Sequence, residues 1–345
     1  MQLLDTLKTL CYLSGVSGTE DETRDYIFER ALRAADEVRT DALGNVLAFK
    51  RGARAGDRRL MLFAHMDEVG LIVTSVTGEG LLKFDFVGGV DRRIALGKRV
   101  FIGRERVPGV VGLKPVHLLE RDEKSAVPKL DALTVDIGAE SREEALGLVS
   151  LGDTAVFDDN VMELGDGFLS AKAIDDRVGC AVLLTLLEEE LCRDVWFAFT
   201  AQEEVGSRGA FGAAYAIEPE LALILEGTTA ADIPGVEEHK RVCELGGGPV
   251  IPFMDRGTVY DPALRELLIS AAEKNGLPWQ TKRAVAGGTD GAAVQRSGAG
   301  ARVAGLAAPI RNIHSPICVA KISDMEDMLR LTRLFLEETV SGEEG

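Results

Sequence analysis

The chain has 345 residues, of which 46% are hydrophobic and 28% are charged, and its formal net charge is −17 at pH 7. This length exceeds one typical hydrophobic core, so it favours two domains or one domain with an insertion. So acidic a chain repels phosphate backbones, which disfavours a nucleic acid as its partner.

The first residues lack the features of a secretory signal. The leucines between residues 3 and 13 are spaced as in an amphipathic helix, and Asp5 and Lys8 interrupt the apolar run. No stretch is long and apolar enough to span a membrane, so we expect no membrane partner. The cysteines are scattered and odd in number, which is typical of a reducing compartment. The sequence therefore predicts a cytoplasmic protein without a disulfide framework or a thiolate zinc site.

The amino-terminal part of the chain predicts two helices followed by two strands. The helices cover residues 3–13 and 20–37, and the second has acids in its first turn. A strand follows at 45–50, and the apolar run at 59–64 (RLMLFA) has the length of a buried strand. That run leads directly to His65.

Between residues 70 and 157 the pattern changes to short alternating runs, such as LIVTSV and LLKFDFV, separated by glycines. This pattern predicts a small, all-β unit built of hairpins, with one short helical turn at 143–145.

After residue 164 strands and helices alternate again. We predict helices at 177–191, 207–216, 262–275, 291–296 and 323–339, and strands at 195–201, 221–226, 278–285 and 301–307. The alternation predicts an α/β fold with a mixed central sheet flanked by helices. We therefore expect one α/β domain made of residues 1–69 and 163–345, interrupted by a β-rich, barrel-like domain at residues 70–162.

Polar side chains follow the apolar strands at the points where they end. His65 follows the strand at 59–64, Glu204 follows the next apolar strand, and Glu226 ends the one after that. His314 comes soon after the run at 301–307. Functional sites of open α/β sheets form at the carboxyl ends of the strands, so these side chains are expected to converge. Histidine, aspartate and glutamate are ligands preferred by zinc and similar metals.

A pair of metals sharing one carboxylate fits these residue types, and Asp175, at the start of a helix, is the candidate bridge. Each residue also has a structural interpretation when it is taken alone. A single histidine after a strand is usually structural, and Asp175 and Asp176 suit a helix amino terminus. Glu203 and Glu204 are compatible with a solvated loop, and Glu226 with an exposed strand end. Together these interpretations require four coincidences at one sheet edge.

Four short motifs resemble those of the tetrahedral, dodecameric metalloaminopeptidase family, which includes glutamyl and leucyl aminopeptidases and members labelled endoglucanases. They are AHMDEVG at 64–70, IDDRVG at 174–179, QEEVG at 202–206 and GGTDG at 287–291. The resemblance covers essentially the whole chain, including GLKPVH at 112–117 in the predicted insertion.

The resemblance implies two metal sites with one shared ligand. One metal would be held by His65, Asp175 and Glu226, and the other by Asp175, Glu204 and His314. The metals would be zinc or cobalt, with manganese also possible. The chain departs from many relatives in having Glu226 where they have aspartate.

The resemblance also implies the remaining parts of the catalytic site. Asp67 would hydrogen-bond His65 and fix its tautomer, and Glu203 would act as the general base. A cis peptide is expected after Asp175. The implied function is hydrolysis of the N-terminal residues of peptides, with the insertion as a dimerisation unit and dimers assembling into a particle of twelve subunits.

Three alternative functions remain open at this point. The motifs barely separate an aminopeptidase from another two-metal amide hydrolase, such as a deacylase or a carboxypeptidase. A glycoside hydrolase with two carboxylates would need neither the metals nor His65 and His314. A non-catalytic assembly protein would not need Glu203 or the complete ligand set.

Other polar residues carry weaker indications. Thr289 and Asp290 are expected to cap the helix that follows, with a place beside the substrate pocket as the second interpretation. His117 and His239 are expected to be structural or exposed.

Overall fold

The computed structural model describes residues 2–56, 58–121, 126–158 and 160–341. Its helices are α1 (Gln2–Tyr12), α2 (Asp21–Ala34), α3 (Arg92–Ala95), α4 (Arg142–Leu148), α5 (Ile174–Leu187), α6 (Arg208–Ile217), α7 (Pro262–Lys274), α8 (Gly291–Val294) and α9 (Ile322–Ser341). Its strands are β1 (Glu37–Thr40), β2 (Val46–Lys50), β3 (Leu60–His65), β4 (Gly70–Val76), β5 (Leu82–Val87), β6 (Arg99–Ile102), β7 (Val107–Gly112), β8 (Thr134–Asp136), β9 (Thr154–Phe157), β10 (Met162–Leu164), β11 (Phe168–Ala171), β12 (Val195–Thr200), β13 (Leu221–Thr229), β14 (Arg302–Arg311) and β15 (Cys318–Lys321).

A nine-stranded sheet forms the main unit, in the order β1-β2-β12-β3-β13-β14-β15-β11-β10. The four central strands β12, β3, β13 and β14 are parallel to one another, and the outer pairings are antiparallel. The prediction of a mixed sheet is thus confirmed. Every residue of β3 is buried, as expected for a parallel strand that is covered on both faces.

Helices cover the two faces of this sheet. On one face, α1, α2, α5, α7 and α9 pack on the sheet and enclose the largest hydrophobic core, to which Leu7, Ile27 and Leu268 belong. On the other face, α6 and α8 pack through small residues such as Ala213 and Ala293. Because both faces are closed by helices, the carboxyl edge of the parallel strands is the open place at which polar side chains can gather.

The second unit is a closed barrel in the order β4-β5-β8-β7-β6-β9. It has its own core, which includes Leu82, Val100 and Phe157. The prediction of a β-rich, barrel-like insertion is confirmed. Strands of the barrel run from Gly70 to Phe157, and Met162 already belongs to the large sheet. The division of the chain at 70–162 into two functional domains stays a prediction.

Several element predictions were wrong in detail. The segment 278–285 is no strand and makes only an isolated bridge between Gln280 and Val250. Pro278 lacks an N–H for a ladder, and the Gln280 side chain donates to the carbonyls of Glu244 and Gly248, which holds the segment as a loop.

Helix and strand boundaries account for the other differences. The second helix ends at Ala34, before a short strand β1 that was not predicted, and α5 ends at Leu187 rather than at residue 191. Strands β10, β11 and β15 were also missed, since runs of three or four residues show too little periodicity. Among the described residues, no helix is long and apolar enough to cross a membrane.

Candidate metal centre

The register of the parallel strands brings the predicted ligands to one sheet edge. His65, the last residue of β3, pairs with Thr200, the last residue of β12. Two residues after Gln202, which has a φ of 59°, the chain reaches Glu204. Glu226 does not end its strand as predicted, because β13 continues to Thr229, yet its side chain is buried at this edge.

His65 is 1% exposed and faces two carboxylates. Its Nε2 lies 3.1 Å from Oε1 of Glu226 and 3.5 Å from Oδ1 of Asp175. Its Nδ1 lies 3.1 Å from the main-chain carbonyl of Asp67 and 3.5 Å from the carboxylate of the same residue. Burial alone would lower the pKa of His65, but the Glu226, Asp175 and Asp67 carboxylates raise it well above its usual value. The carbonyl contact leaves Nε2 as the nitrogen that can bind a cation.

His314 faces the other oxygen of the same aspartate. Its Nε2 lies 3.3 Å from Oδ2 of Asp175 and 3.4 Å from Oε2 of Glu204. Burial would lower the pKa of His314, but the hydrogen bond that His314 donates to Asp175 and the charge of Glu204 raise this pKa to about 9. Asp175 thus lies between two histidines, each of which has a second carboxylate beside it.

The carboxylates of this edge are crowded together in a buried place. Burial raises the pKa of Glu204 to about 7 and that of Glu226 to about 8. Burial also opposes ionisation of Asp175, but the neighbouring imidazoles of His314 and His65 lower its pKa. Oδ1 of Asp175 is buried and makes no hydrogen bond with the described residues. A cluster of buried acids with an unpaired oxygen fits a site for cations, whose charge would offset the cost of burying the acids.

Two groups of donor atoms among the described residues lie close enough together to hold a metal ion. One consists of His65, Asp175 and Glu204, and the other of His65, Asp176 and Glu226. The first group contains His65 where the resemblance implies His314, and the second contains Asp176 where it implies Asp175. We favour Asp175, because both oxygens of Asp176 already accept main-chain hydrogen bonds, from His65 and Gly179. The peptide between Asp175 and Asp176 is cis, as the resemblance implied.

Glu203 belongs to neither group of donor atoms among the described residues. Its main-chain N–H donates to Oδ1 of Asp67, and that of Glu204 donates to Oδ2 of Asp67. Oε1 of Glu203 lies 3.4 Å from the hydroxyl of Ser207. Burial raises the pKa of Glu203 well above its usual value. Glu203 therefore combines a fixed backbone with a carboxyl group that favours holding a proton.

Asp290 does not cap the helix α8, contrary to the prediction. Its side chain makes no capping hydrogen bond and instead accepts one from the hydroxyl of Thr200, the last residue of β12. The hydroxyl of Thr289 accepts the N–H of Gly291, so Thr289 provides the helix-start contact. Burial raises the pKa of Asp290 to about 6. Sequence patterns missed this because the Thr200 contact depends on tertiary packing across 90 positions.

A cavity of about 540 Å³ opens beside the candidate ligands. It is bordered by Glu203, Glu226 and His314 and has apolar walls that include Ile224 and Leu306. Two cationic side chains also border it, Lys282 and Arg296. His117 and His239 are exposed and lie outside the site, as predicted.

Comparisons with known proteins point to one family. The model of the M42 glutamyl aminopeptidase family matches residues 44–331. A protein of Acetivibrio thermocellus with a provisional aminopeptidase name is 38% identical, over 95% of this chain and 97% of its own. The solved structure of the aminopeptidase APDkam598 from Desulfurococcus kamchatkensis is 36% identical, covers 100% of this chain and 98% of its own, and superposes with a TM-score of 0.93.

A further solved structure is that of the Pyrococcus horikoshii TET1 peptidase, which can assemble into a tetrahedron or a large octahedral shell. It is 35% identical, the alignment covers 97% of this chain and 99% of that one, and the TM-score is 0.85.

Proposed function

We propose a mechanism for this chain, which belongs to the M42 glutamyl aminopeptidase family and is an aminopeptidase. It acts with two divalent cations and a glutamate that transfers protons. One cation would be held by His65, Asp175 and Glu226, and the other by Asp175, Glu204 and His314. Glu203 would be the general base. The substrates would be peptides, cleaved at the bond after their first residue.

The observation that carries the proposal is the position of Asp175 between two histidines. Its Oδ1 lies 3.5 Å from Nε2 of His65, and its Oδ2 lies 3.3 Å from Nε2 of His314. A carboxylate that offers one oxygen to each of two nitrogen ligands suits a pair of cations roughly 3.5–4 Å apart. The buried Oδ1 without a hydrogen bond is the kind of atom that a cation would satisfy.

The chain's own residues account for the proton transfers. When bound, two divalent cations would supply the charge that lowers the pKa of a water molecule and polarises the scissile carbonyl. Glu203 would take a proton from the attacking water on its carboxylate and pass it to the nitrogen of the leaving peptide. Its main chain is fixed by Asp67, so its side chain approaches the cavity from a constant direction. The apolar walls near Ile224 and Leu306 would exclude bulk water from the reacting groups.

The donor set supports zinc or cobalt, with manganese as a further candidate. Imidazole nitrogen and carboxylate oxygen suit all three ions, and the proposed set contains no thiolate. The five cysteines of the chain are free. Free thiols are usual in the cytoplasm, where we expect the protein to act.

We also propose that the protein self-associates through the inserted barrel into dimers, and further into a dodecamer. The related TET1 peptidase can assemble into a tetrahedron or a large octahedral shell. The barrel carries exposed apolar side chains at Val116, Leu118 and Val127, of which Val116 is 71% exposed. If these side chains form one contiguous patch, they provide an apolar surface for binding another subunit. A monomeric mass in solution, measured by light scattering, would contradict this part of the proposal.

A panel of aminoacyl chromogenic substrates tests the proposed chemistry. We expect cleavage by the purified protein, its loss after chelation, and its return when zinc or cobalt is added. N-acyl amino acids and substrates with a free carboxyl terminus should be included, since their preferential cleavage would favour a deacylase or a carboxypeptidase. Cellulase activity that survives chelation would favour a glycoside hydrolase. A metal-loaded protein without activity on any substrate would indicate a non-catalytic relative.

A further inference from the structure

We propose that the turn formed by Gly88 and Gly89 in the inserted barrel is a positioning element of the metal centre, which holds Glu204 and His314 in place. The inference rests on the proposed function, because it takes these two residues as ligands of one cation. It assigns to the barrel a part in the catalytic centre that is separate from any part in assembly.

The barrel reaches the metal centre through the open end of one hairpin. Strand β4 begins at Gly70, five residues after His65, and Val87 at the end of β5 pairs with Gly70. The turn of Gly88 and Gly89 follows Val87 directly. The strand pairing therefore fixes this turn next to the place where the chain leaves the metal centre.

The turn leaves no room for a further carbon atom beside either residue that shares a proposed cation with Asp175. A Cβ atom on Gly88 would lie 2.7 Å from Cγ1 of Val69 and 3.3 Å from Cβ of Glu204. A Cβ atom on Gly89 would lie 3.1 Å from Nδ1 of His314. These spaces are too small for a methyl group, so the neighbouring side chains would have to move. Gly89 also borders the cavity beside the metal centre.

The two histidines differ in what holds them. Nδ1 of His65 lies 3.1 Å from the main-chain carbonyl of Asp67. For Nδ1 of His314, the part of the chain that the structure describes contains no hydrogen-bond partner, and this nitrogen instead faces Gly89. The His314 side chain is 34% exposed, whereas that of His65 is 1% exposed. Nε2 of His314 faces Asp175 and Glu204, and the Gly89 backbone closes the opposite, Nδ1 side of the ring, so we infer that Gly89 helps to orient it.

A methyl group at either position should weaken one cation site and leave the other. At position 89 it would push the His314 ring by a few tenths of an ångström. At position 88 it would press on Val69 and Glu204. Changes to the groups that support metal ligands typically reduce metal affinity about 10- to 100-fold. We expect a loss of about tenfold or more at the site of Asp175, Glu204 and His314.

Matched glycines elsewhere in the barrel provide the controls. Gly88 has a φ of 79°, and Gly97, with a φ of 75°, has nothing within 4 Å of an added Cβ. Gly88→Ala and Gly97→Ala therefore share the backbone penalty, and only the first meets the metal centre. Gly89→Ala is matched by Gly78→Ala, whose added Cβ also has nothing within 4 Å.

The experiment is a calorimetric zinc titration of the chelated full-length protein and these four variants, together with thermal unfolding and kcat at limiting and at excess zinc. We expect the parent, Gly97→Ala and Gly78→Ala to bind two zinc ions per chain, with affinities at each site that are the same in all three proteins. Gly88→Ala and Gly89→Ala should each bind one ion normally and the other about tenfold more weakly or worse. Their kcat should fall at limiting zinc and recover in part with excess zinc.

The other outcomes separate the two proposals. Parental zinc affinities in both Gly88→Ala and Gly89→Ala would overturn the inference and leave the two-cation proposal intact. Equal losses in the control variants would also overturn it, because the contacts with Glu204 and His314 would then not be the cause. A parent that binds no zinc or cobalt would instead overturn the proposed function. If Gly88→Ala unfolds because of its close contact with Val69, the pair Gly89→Ala and Gly78→Ala decides.

Discussion

Oδ1 of Asp67 lies 2.9 Å from the main-chain nitrogen of Glu203, which is 136 positions away in the chain. Oδ2 of the same carboxylate accepts the N–H of Glu204 at 3.1 Å and the hydroxyl of Ser17 at 2.6 Å. One buried carboxylate thus ties the end of β3 to the loop after β12. Because Glu203 and Glu204 are neighbours in that loop, Asp67 holds both the proposed base and a proposed ligand.

The hydrogen bonds of Asp67 can be removed singly or all together. Ser17→Ala deletes one donor, and we expect it to lower the free energy of unfolding by about 1 kcal/mol with little change in kcat. Asp67→Ala leaves the N–H groups of Glu203 and Glu204 without their acceptor, and should cost about 3 kcal/mol or more and lower kcat strongly. Urea unfolding and steady-state kinetics measure both effects. Equal losses of kcat in the two variants would contradict this division.

Replacing Glu203 by glutamine tests its proposed role as a base. The amide has nearly the same shape but cannot take a proton, so we expect kcat to fall about 100-fold or more while both metals stay bound. Metal content by mass spectrometry and kcat on the best substrate are the two measurements. Loss of a metal in Glu203→Gln would show that the assignments of Glu203 and Glu204 are reversed.

Glu226 is the proposed ligand for which the resemblance implied an aspartate in many relatives. Its Oε1 lies 3.1 Å from Nε2 of His65. Glu226→Ala should therefore remove the cation proposed to bind Glu226 and His65 and leave the second cation bound. Glu226→Asp has a shorter side chain and should bind that cation more weakly by about tenfold, with partial activity. Zinc titration of the three proteins checks this order. Two parental zinc affinities in Glu226→Ala would exclude Glu226 as a ligand.

The sequence predicted the parts of the molecule that depend on local pattern. The apolar run before His65 predicted β3, and the polar residues after the strands indicated one edge of the sheet. The contact between Asp67 and Glu203 was beyond such reasoning, since it requires the register that pairs His65 with Thr200.

The same limit applies to Asp290 and to the Gly88 turn. Asp290 was expected to cap a helix, because its position before α8 is local information, whereas its bond with Thr200 depends on tertiary packing. In the sequence, Gly88 is one of several glycines that separate the short runs of the predicted β unit. Only the closure of the barrel against the sheet brings it to Glu204.

The charges around the cavity predict which first residues the enzyme prefers. Lys282 is half-buried and borders the cavity, as does Arg296, whereas the bordering acids all belong to the candidate metal centre. We expect faster cleavage after acidic than after basic N-terminal residues. Lys282→Ala should raise KM for acidic substrates about tenfold and change little for leucyl substrates. Arg283→Ala is the control. Arg283 is exposed, its Nη1 lies 3.7 Å from Oε1 of Glu244, and it does not border the cavity. Equal effects of the two variants would contradict this prediction.

Asp261 joins a helix cap and an ion pair in one side chain, and its contribution to stability should depend on pH. Its carboxylate accepts the N–H groups of Ala263 and Leu264 at the start of α7 and pairs with Arg302 at 2.8 Å. The hydrogen bond from Arg302 is the main cause that lowers the pKa of Asp261 from 3.8 to about 2. A carboxylate with a lowered folded-state pKa stabilises the fold above its unfolded pKa, and this stability is lost as the pH falls towards 2.

Two variants of Asp261 separate the cap from the charge. Asp261→Asn keeps a capping oxygen and loses the charge. We expect this variant to lower the free energy of unfolding by about 1 kcal/mol at about pH 7. The loss is small because the Arg302 side chain is 43% exposed, so solvent screens the ion pair. Asp261→Ala also loses the cap and should cost about 2 kcal/mol. Between pH 3.8 and about 2 the cost of Asp261→Asn should shrink, since the parent carboxylate becomes protonated, whereas the loss of the cap persists. Urea unfolding of the parent and both variants across this range measures the difference, and a cost of Asp261→Asn that is independent of pH would show that the pair with Arg302 contributes no stability.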